Sequence, residues 1–129
     1  MTILLAYDGS PDSAKALDYS IKHAVSYSVP LYILTVVTKE QMDPEDPDTS
    51  VRDYMEAAQR KAAGMGAVVH TIIEIGRPGE TVLEVAGLYK CDTIIVGRSN
   101  RSSLDRLFLG SVSNYVVKNA DCTVIVVSC

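Results

Sequence analysis

The chain lacks the long apolar and basic runs that mark two broad classes of protein. No apolar stretch approaches the roughly 18 residues that a membrane-spanning helix needs. No basic run reaches five residues, and the net charge is −4. These absences argue against a membrane partner and against nucleic acid as a partner. Hydrophobic residues still make up 47% of the chain, which is typical of a packed globular domain and not of a disordered chain.

Cysteine is scarce: the chain has Cys91, Cys122 and Cys129 and no C-x-x-C pair. An odd number of cysteines without that motif indicates neither a disulfide framework nor a structural zinc site. The first ten residues, MTILLAYDGS, lack the basic lead and the small-residue cleavage site of a secretory signal peptide. We therefore expect a reducing, cytoplasmic location.

Signatures of common enzyme classes are also missing. The nearest string to a G-x-S-x-G nucleophile elbow is GRSNR (97–101), which lacks the closing glycine, and there is no G-K-[ST] phosphate loop. A phospho-acceptor domain needs clustered acids after its first strand, where only Asp8 stands and Asp12 lies a helical turn away. His23 and His70 have no further ligands at metal-binding spacing. We therefore predict no metal site and no catalytic residue.

What the chain does contain is an alternation of apolar runs and amphipathic segments. Short runs rich in β-branched residues predict strands that are covered on both faces, as in a parallel sheet. These runs lie at residues 3–8, 31–37, 67–75, 92–97 and 123–128. Four helical segments separate them, so the predicted element order is βαβαβαβαβ.

Each predicted helix has one apolar face. Ser10 is suited to cap the first helix, with Pro11 at its first position. The residues of this helix that we expect to be buried are Ala14, Leu17, Ile21, Ala24 and Val25. The second helix presents Val51, Tyr54, Met55, Ala58 and Ala62, and the third, at 78–89, presents Val82, Val85, Ala86 and Tyr89. The fourth helix spans 111–119.

The connection at residues 38–50, TKEQMDPEDPDTS, is the longest. It is rich in acids and contains two prolines, so we predict a mobile, solvated loop. It is not a domain boundary, because neither flanking piece could form a core alone. The chain is therefore predicted to be a single domain over residues 1–129.

Five parallel strands with right-handed crossovers predict an α/β fold with a doubly wound sheet in the order 3-2-1-4-5 and helices on both faces. Ligands of such sheets bind beyond the carboxyl ends of the strands, at the point where the strand order reverses. Here that point lies between strand 1, which ends in Asp8, Gly9 and Ser10, and strand 4, which ends in Gly97. Two polar, glycine-containing loops are thus expected to converge on one crevice.

The residues after strand 4 carry a family resemblance. Gly97, Asn100 and the pair Gly110-Ser111 are spaced as in the pattern G-x2-G-x9-G-[S/T], and this resembles the signature of the universal stress protein family. The resemblance covers almost the whole chain, including ILLAYDGSPDSAKAL near the start and LFLGSVSNYVV near the end. It implies an adenine nucleotide alpha hydrolase-like fold.

The resemblance also implies a ligand and its contacts. In nucleotide-binding members of the family the ligand is ATP or AMP, and Mg²⁺ is the ion that would accompany it. By the same resemblance, Asp8 and Val36 would lie at the nucleoside end. The ribose and phosphates would lie among Val96, Gly97, Asn100, Gly110, Ser111 and Val112. Glycine allows close backbone approach to an anion, and a helix that begins at Ser111 would direct free N–H groups toward it. Arg98 and Arg101 are added because guanidinium groups suit phosphate.

One position departs from the family pattern, since Asn100 replaces the second signature glycine. Asparagine tolerates left-handed backbone better than most residues, but its side chain occupies space beside the expected phosphates. Two readings therefore stay open: a nucleotide-binding sensor or regulatory module with an unknown protein partner, or a dimeric interaction module with an empty crevice. At most slow ATP hydrolysis is expected.

Simpler roles remain open for individual residues. Asp8 can serve only to cap the first helix region or to accept loop hydrogen bonds, and Arg101 can serve only to solvate a surface loop.

The last strand, 123–128, is apolar and carries no proline or lysine that would block an edge. Since members of the resembled family commonly dimerise through this strand, we expect a homodimer.

Overall fold

A computed structural model of the protein describes residues 1–38, 49–98 and 110–128. The strands are β1 (Ile3–Ala6), β2 (Leu31–Val37), β3 (Val69–Ile75), β4 (Thr93–Gly97) and β5 (Thr123–Val127). The helices are α1 (Pro11–Tyr27), α2 (Thr49–Gly64), α3 (Pro78–Leu88) and α4 (Ser111–Asn119). None of the helices in these three ranges is long and apolar enough to cross a membrane.

The strands form one parallel sheet in the order β3-β2-β1-β4-β5, which confirms the predicted doubly wound α/β fold. β1 lies at the centre, where Ile3 pairs with Leu31 of β2 on one side and with Thr93 of β4 on the other. The chain builds outward from β1 to β3 and then returns to the other side of β1 to build β4 and β5. The carboxyl ends of β1 and β4 therefore form the topological switch point.

The core lies on both faces of the sheet because alternate strand residues point to opposite sides. The first-face core lies under α1 and α2, and it contains Leu5 and Ile95. The second-face core lies under α3 and α4, and it contains Leu4 and Ile94. Each of these four side chains is fully buried, and each such burial stabilises the fold by roughly 1.5–3 kcal/mol.

Helix α1 begins as predicted but buries a slightly different face. The Ser10 hydroxyl accepts a hydrogen bond from the Ser13 N–H at 3.2 Å, and Pro11 is the first helical residue. Val25, which was predicted to be buried, is 40% exposed. The buried face of α1 instead includes Ser13 and Ser20. Ser20 satisfies its hydroxyl by donating to the Ala16 carbonyl at 2.7 Å, which explains how a serine is accommodated there.

Two further predictions about burial are wrong at the edges of the fold. Tyr89 was placed in the core, but it lies just past the end of α3, is 40% exposed and packs its ring against Tyr32. β3 was predicted to be covered on both faces, yet Ile73 and Ile75 are largely exposed. As an edge strand it has a neighbour on one side only, so the described chain gives it less cover than the central strands.

The loop predicted at residues 38–50 ends two residues earlier than expected, because α2 begins at Thr49. A helix that starts there brings Val51, Tyr54, Met55, Ala58 and Ala62 onto the first-face core, as the spacing predicted. Residues 39–48 lie outside the described part of the chain, so the prediction that they are mobile stays a prediction.

Candidate functional site

A cavity of about 340 Å³ opens at the switch point between the ends of β1 and β4. Its size lies in the range of small-molecule sites, and such sites are expected at this place in an open parallel sheet. Its walls come from the ends of β1, β2 and β4 and from the first turns of α1, α3 and α4. The lining comprises Ala6, Tyr7, Asp8, Ser10, Asp12, Ser13, Leu34, Val36, Thr38, Pro78, Val82, Val96, Gly97, Ser111, Val112 and Ser113.

The turn after β1 positions the carboxylate of Asp8. One Asp8 carboxylate oxygen, Oδ1, accepts a hydrogen bond from the Ser10 N–H at 2.9 Å. Gly9, between them, has φ of +78°, a conformation that favours glycine. A side chain at Gly9 would also meet the ring of Tyr54, because an added Cβ would lie 2.6 Å from it. The turn therefore depends on glycine for two separate reasons.

The carboxyl group of Asp8 is held in its charged form. Burial by itself raises its pKa, but hydrogen bonds from Ser10 and Ser13 outweigh this effect, and the net pKa is lower than usual. Asp8 is therefore an anion near neutral pH and acts as a hydrogen-bond acceptor. Its loop hydrogen bond also matches the simpler role that the sequence left open for it, and Asp8 lines the cavity as well.

The floor beneath this turn is supported by residues that the sequence analysis did not select. Thr35 is buried, and its hydroxyl donates to the Tyr7 carbonyl at 2.6 Å. The Tyr7 ring meets that of Tyr54 edge-to-face, with centroids 5.6 Å apart. Both contacts hold the end of β1 against β2 and α2. The threonine within the apolar run of β2 was the available signal, since a buried hydroxyl needs a partner.

The end of β4 passes very close to the first turn of α1. A Cβ added to Gly97 would lie 3.2 Å from the Asp12 carbonyl oxygen and 3.4 Å from the Ser13 Cα. Glycine at this position therefore allows the two elements to meet, and this contact closes one side of the cavity. The signature glycine thus has a packing role here in addition to any role in ligand contact.

Helix α4 presents an uncapped N-terminus to the cavity. Gly110 is its N-cap residue and supplies no side-chain hydrogen bond, and the first turn contains no acid. The Asn114 N–H bonds to the Gly110 carbonyl, so the N–H groups of Ser111, Val112 and Ser113 precede the first intrahelical bond. By contrast, α1 is capped by Ser10 and has Asp12 in its first turn. The cavity wall therefore combines the carboxylates of Asp8 and Asp12 with the positive dipole end of α4.

A smaller cavity of about 220 Å³ continues the same groove between the N-termini of α3 and α4. The two cavities share Pro78, Ser111 and Val112. Arg77 lines the smaller one, and its side chain is 85% exposed. The groove thus extends from the sheet edge outward past the Ser111 end of α4.

The structure brings together six of the residues predicted for the site: Asp8, Val36, Val96, Gly97, Ser111 and Val112 all line the larger cavity. Gly110 adjoins this lining as the N-cap of α4. Arg98 is not part of the lining. Asn100 and Arg101 lie outside the described residues.

Arg98 holds a distinctive position beside the site. Its N–H donates to the Val127 carbonyl at 2.9 Å, which extends the pairing of β4 with β5. Its guanidinium Nε is buried and has no hydrogen-bond partner among the residues that the structure describes. A buried donor without a partner is costly, so this atom marks a place where an acceptor would be stabilising.

The sequence analysis missed several lining residues, including Ser13, Pro78 and Ser113. Ser13 and Ser113 each lie three residues after a helix N-cap, and both donate to the carbonyl of that cap. This repeated spacing is visible in the sequence. Within residues 1–38, 49–98 and 110–128, no group of three or more His, Cys, Asp or Glu side chains could hold a metal ion.

These features define a doubly wound α/β domain with a ligand-sized crevice at its switch point. The model of the universal stress protein family matches residues 1–128, so the chain belongs to that family. Universal stress protein YxiE of Bacillus subtilis is 33% identical, and the match covers 97% of each chain.

Solved structures of the family share the fold. Universal stress protein UspA from Lactobacillus plantarum superposes with a TM-score of 0.85 at 27% identity, over 98% of this chain and 97% of that one. A universal stress protein in complex with cAMP has a TM-score of 0.82 at 24% identity, over 99% and 96% of the two chains. A family protein from Arabidopsis thaliana with AMP bound has a TM-score of 0.72 at 19% identity, over 99% and 90%.

Proposed function

We propose that this protein binds an adenine nucleotide, AMP or ATP, in the switch-point crevice, and that it acts as a regulatory module in the stress response. The observation that carries the proposal is the polarity of the crevice. An anionic acceptor, Asp8, and the uncapped N-terminus of α4 line the same crevice. A nucleotide has the matching polarity, because its nucleoside carries hydrogen-bond donors and its phosphate is an anion.

The nucleoside would lie at the end formed by β1 and β2. Leu34, Val36 and Val82 provide apolar surface there, which suits the faces of a planar base. The Asp8 carboxylate would accept a hydrogen bond from an amine or a sugar hydroxyl. Apolar walls with a small number of polar acceptors are the combination expected of a site that fixes the orientation of its ligand.

The phosphate would lie at the end formed by β4 and α4. Gly97 leaves the backbone accessible, and the free N–H groups at the start of α4 and the Ser111 hydroxyl are donors. Arg98 follows Gly97 directly, and its guanidinium would reach the phosphate only by a change of side-chain conformation, since its Nε is buried outside the cavity lining. By the family signature, Asn100 and the guanidinium of Arg101 would provide further contacts to the phosphate.

The groove past Ser111 suits a ligand longer than a monophosphate, because the smaller cavity continues there and Arg77 lines it. We therefore propose that ATP is accommodated as well as AMP. Magnesium, where it accompanies ATP, would be held mainly by the phosphates, as is usual for this ion. Asp8 and Asp12 are the carboxylates of the cavity wall, and an oxygen of either would suit a water of the ion's hydration shell.

Binding, and not catalysis, is the proposed activity. The lowered pKa of Asp8 makes this carboxylate a weak base, whereas a general base works best with a pKa near the working pH. We assign no catalytic residue and propose at most slow ATP hydrolysis. The cellular setting proposed is the cytoplasm, with a further protein partner of unknown identity.

Calorimetric titration of the purified protein with AMP, ATP and adenosine tests the proposal. We expect AMP and ATP to bind and adenosine to bind at least tenfold more weakly, since adenosine lacks the charged acceptor for the α4 N-terminus. Equal affinity for adenosine and AMP would contradict the placement of the phosphate at α4. Absence of heat with all three compounds would favour the alternative function.

The alternative is a dimeric interaction module that leaves the crevice empty, and one observation favours an interaction surface. β5 is an edge strand whose side chains Val124, Ile125, Val126 and Val127 are only half-buried. Central strands of the same sheet bury the corresponding side chains fully. Strands with free, apolar edges are usually covered in native proteins.

We propose that a second copy of this chain covers β5, whichever function holds. Light scattering at micromolar concentration is expected to give a mass near twice the 14.0 kDa of one chain. The reason is that a two-fold pairing would bury the apolar edge symmetrically. A variant, Thr123→Lys, places a charge on an exposed residue of this edge strand and should shift the mass toward that of one chain. A wild-type mass of one chain would refute the dimer.

A further inference from the structure

Two free cysteines, Cys91 and Cys122, precede β4 and β5 at the end of the sheet opposite to the crevice. The turn before β4 is tightly held: the Cys91 N–H donates to the Ala86 carbonyl at 2.8 Å, and the Asp92 N–H donates to the Thr2 carbonyl at 3.1 Å. Cys91 is thereby fixed between α3 and the start of β4. Neither thiol belongs to the proposed nucleotide site.

The register of the two strands brings these cysteines together. Thr93 pairs with Thr123, and the Thr123 N–H donates to the Asp92 carbonyl at 3.2 Å. Cys122 therefore lies across from Asp92, and Cys91 lies one residue further back on the neighbouring strand. On ideal parallel strands, with spacings of about 4.8 Å between strands and 3.3 Å along them, Cα atoms related in this way would be roughly 6 Å apart. Disulfides span Cα separations of about 4.4–6.8 Å.

Both side chains also pack on the second face of the sheet, because the chain bends at Asp92 and Cys91 does not follow the alternation of β4. Cys91 is 8% exposed and belongs to the second-face core, and Cys122 is half-buried and packs against that core. Their proximity has an electrostatic counterpart: burial raises the pKa of Cys91 to about 11, and the neighbouring Cys122 contributes to this rise. Burial raises the pKa of Cys122 as well.

We propose that Cys91 and Cys122 form a redox-active dithiol, which a low-molecular-weight disulfide converts reversibly into an intramolecular disulfide. The more exposed Cys122 thiolate attacks one sulfur of the small disulfide and releases one small thiolate. The Cys91 thiolate then attacks the Cys122 sulfur of the mixed disulfide and displaces the second small thiolate. The two protons lost by the protein thiols are taken up by the released thiolates, so one small disulfide is reduced to two thiols.

Two consequences follow from the surroundings of this pair. Thiolate is the attacking species, so the raised pKa values make closure slow at neutral pH and faster as the pH rises. The disulfide would also join the two ends of the segment that contains Gly97, Gly110 and Ser111. Closing such a loop restricts the unfolded chain, and we expect the unfolding midpoint to rise by roughly 5–10 °C.

The test uses the full chain with Cys129→Ser, so that the third cysteine cannot compete. The folded protein is incubated with oxidised glutathione and followed by intact mass and by titration of free thiols. We expect loss of both thiols, a mass decrease of about 2 Da from the reduced protein, and recovery on reduction. Closure should accelerate about tenfold per pH unit between pH 7 and 9 if Cys91 attack is rate-limiting.

Two variants in this background separate closure from simple modification. Cys91→Ser should stop at the mixed disulfide on Cys122, and Cys122→Ser should react far more slowly because the remaining thiol is buried. Urea unfolding of each variant confirms that it is folded before its reactivity is read. A mixed disulfide that persists on Cys122 when Cys91 is present would overturn the proposal, as would two thiols that react only after unfolding.

Discussion

Replacing Ser111 with alanine is expected to weaken AMP and ATP binding by about ten- to a hundredfold. The change removes a hydroxyl donor at the start of α4, and a hydrogen bond to a charged acceptor contributes about 1.5–3 kcal/mol. Fold stability should change little, because the Ser111 side chain is exposed and caps no helix. Calorimetric titration of the wild type and the variant with both nucleotides measures the effect.

A matched control for this substitution is Ser26→Ala. Ser26 is also an exposed helical serine, but it lies in α1 outside both cavities, so its loss should leave nucleotide affinity within twofold of the wild type. The phosphate placement fails if both variants bind AMP as tightly as the wild type does. It also fails if both lose affinity equally, since the effect would then not depend on position.

Replacing Gly9 with alanine is expected to lower the free energy of unfolding by about 2–5 kcal/mol. Left-handed backbone costs a non-glycine residue about 1–2 kcal/mol, and overpacking typically adds about 1–3 kcal/mol. Both terms apply, because Gly9 has φ of +78° and an added Cβ would lie 2.6 Å from the Tyr54 ring. Urea unfolding followed by circular dichroism measures the loss.

The chain provides a control that separates these two terms. Gly66 has φ of +92°, but a Cβ added there would meet nothing within 4 Å. Gly66→Ala should therefore show only the backbone term of about 1–2 kcal/mol. Gly9→Ala should also weaken nucleotide binding, because it displaces the turn that holds Asp8, whereas Gly66→Ala should not. Equal destabilisation by the two substitutions would show that the Tyr54 ring moves away from the added Cβ with no measurable loss in the free energy of unfolding.

The order of the sheet could be predicted from the sequence because it follows from general rules that local patterns satisfy. Apolar runs such as LYILTVV, separated by helical segments, require parallel pairing with crossovers, and few topologies then remain. The ends of the helices were also readable, since Ser10 followed by Pro11 is a local start signal. These features depend on a few neighbouring residues and therefore appear in the sequence.

Burial near the edges could not be predicted in this way. Val25 and Tyr89 have suitable spacing for an apolar face, yet both are about two-fifths exposed. Their exposure depends on where a neighbouring helix ends and how far the sheet extends, and neither quantity is encoded at those positions. The exposure of Ile73 and Ile75 has the same origin, because β3 is at the edge of the sheet.

The sequence by itself therefore determined the family, the parallel sheet and the two loops that meet at the switch point, because each depends on residue type and spacing. Only the tertiary structure decided how the crevice is polarised. The charged form of Asp8 is favoured because Ser10 and Ser13 donate hydrogen bonds to it. Glycine is needed at position 97 because a Cβ added there would lie only 3.2 Å from the Asp12 carbonyl oxygen. The pairing of Cys91 with Cys122 also depends on strand register. Each of these properties belongs to atoms that are distant along the chain and become neighbours only on folding.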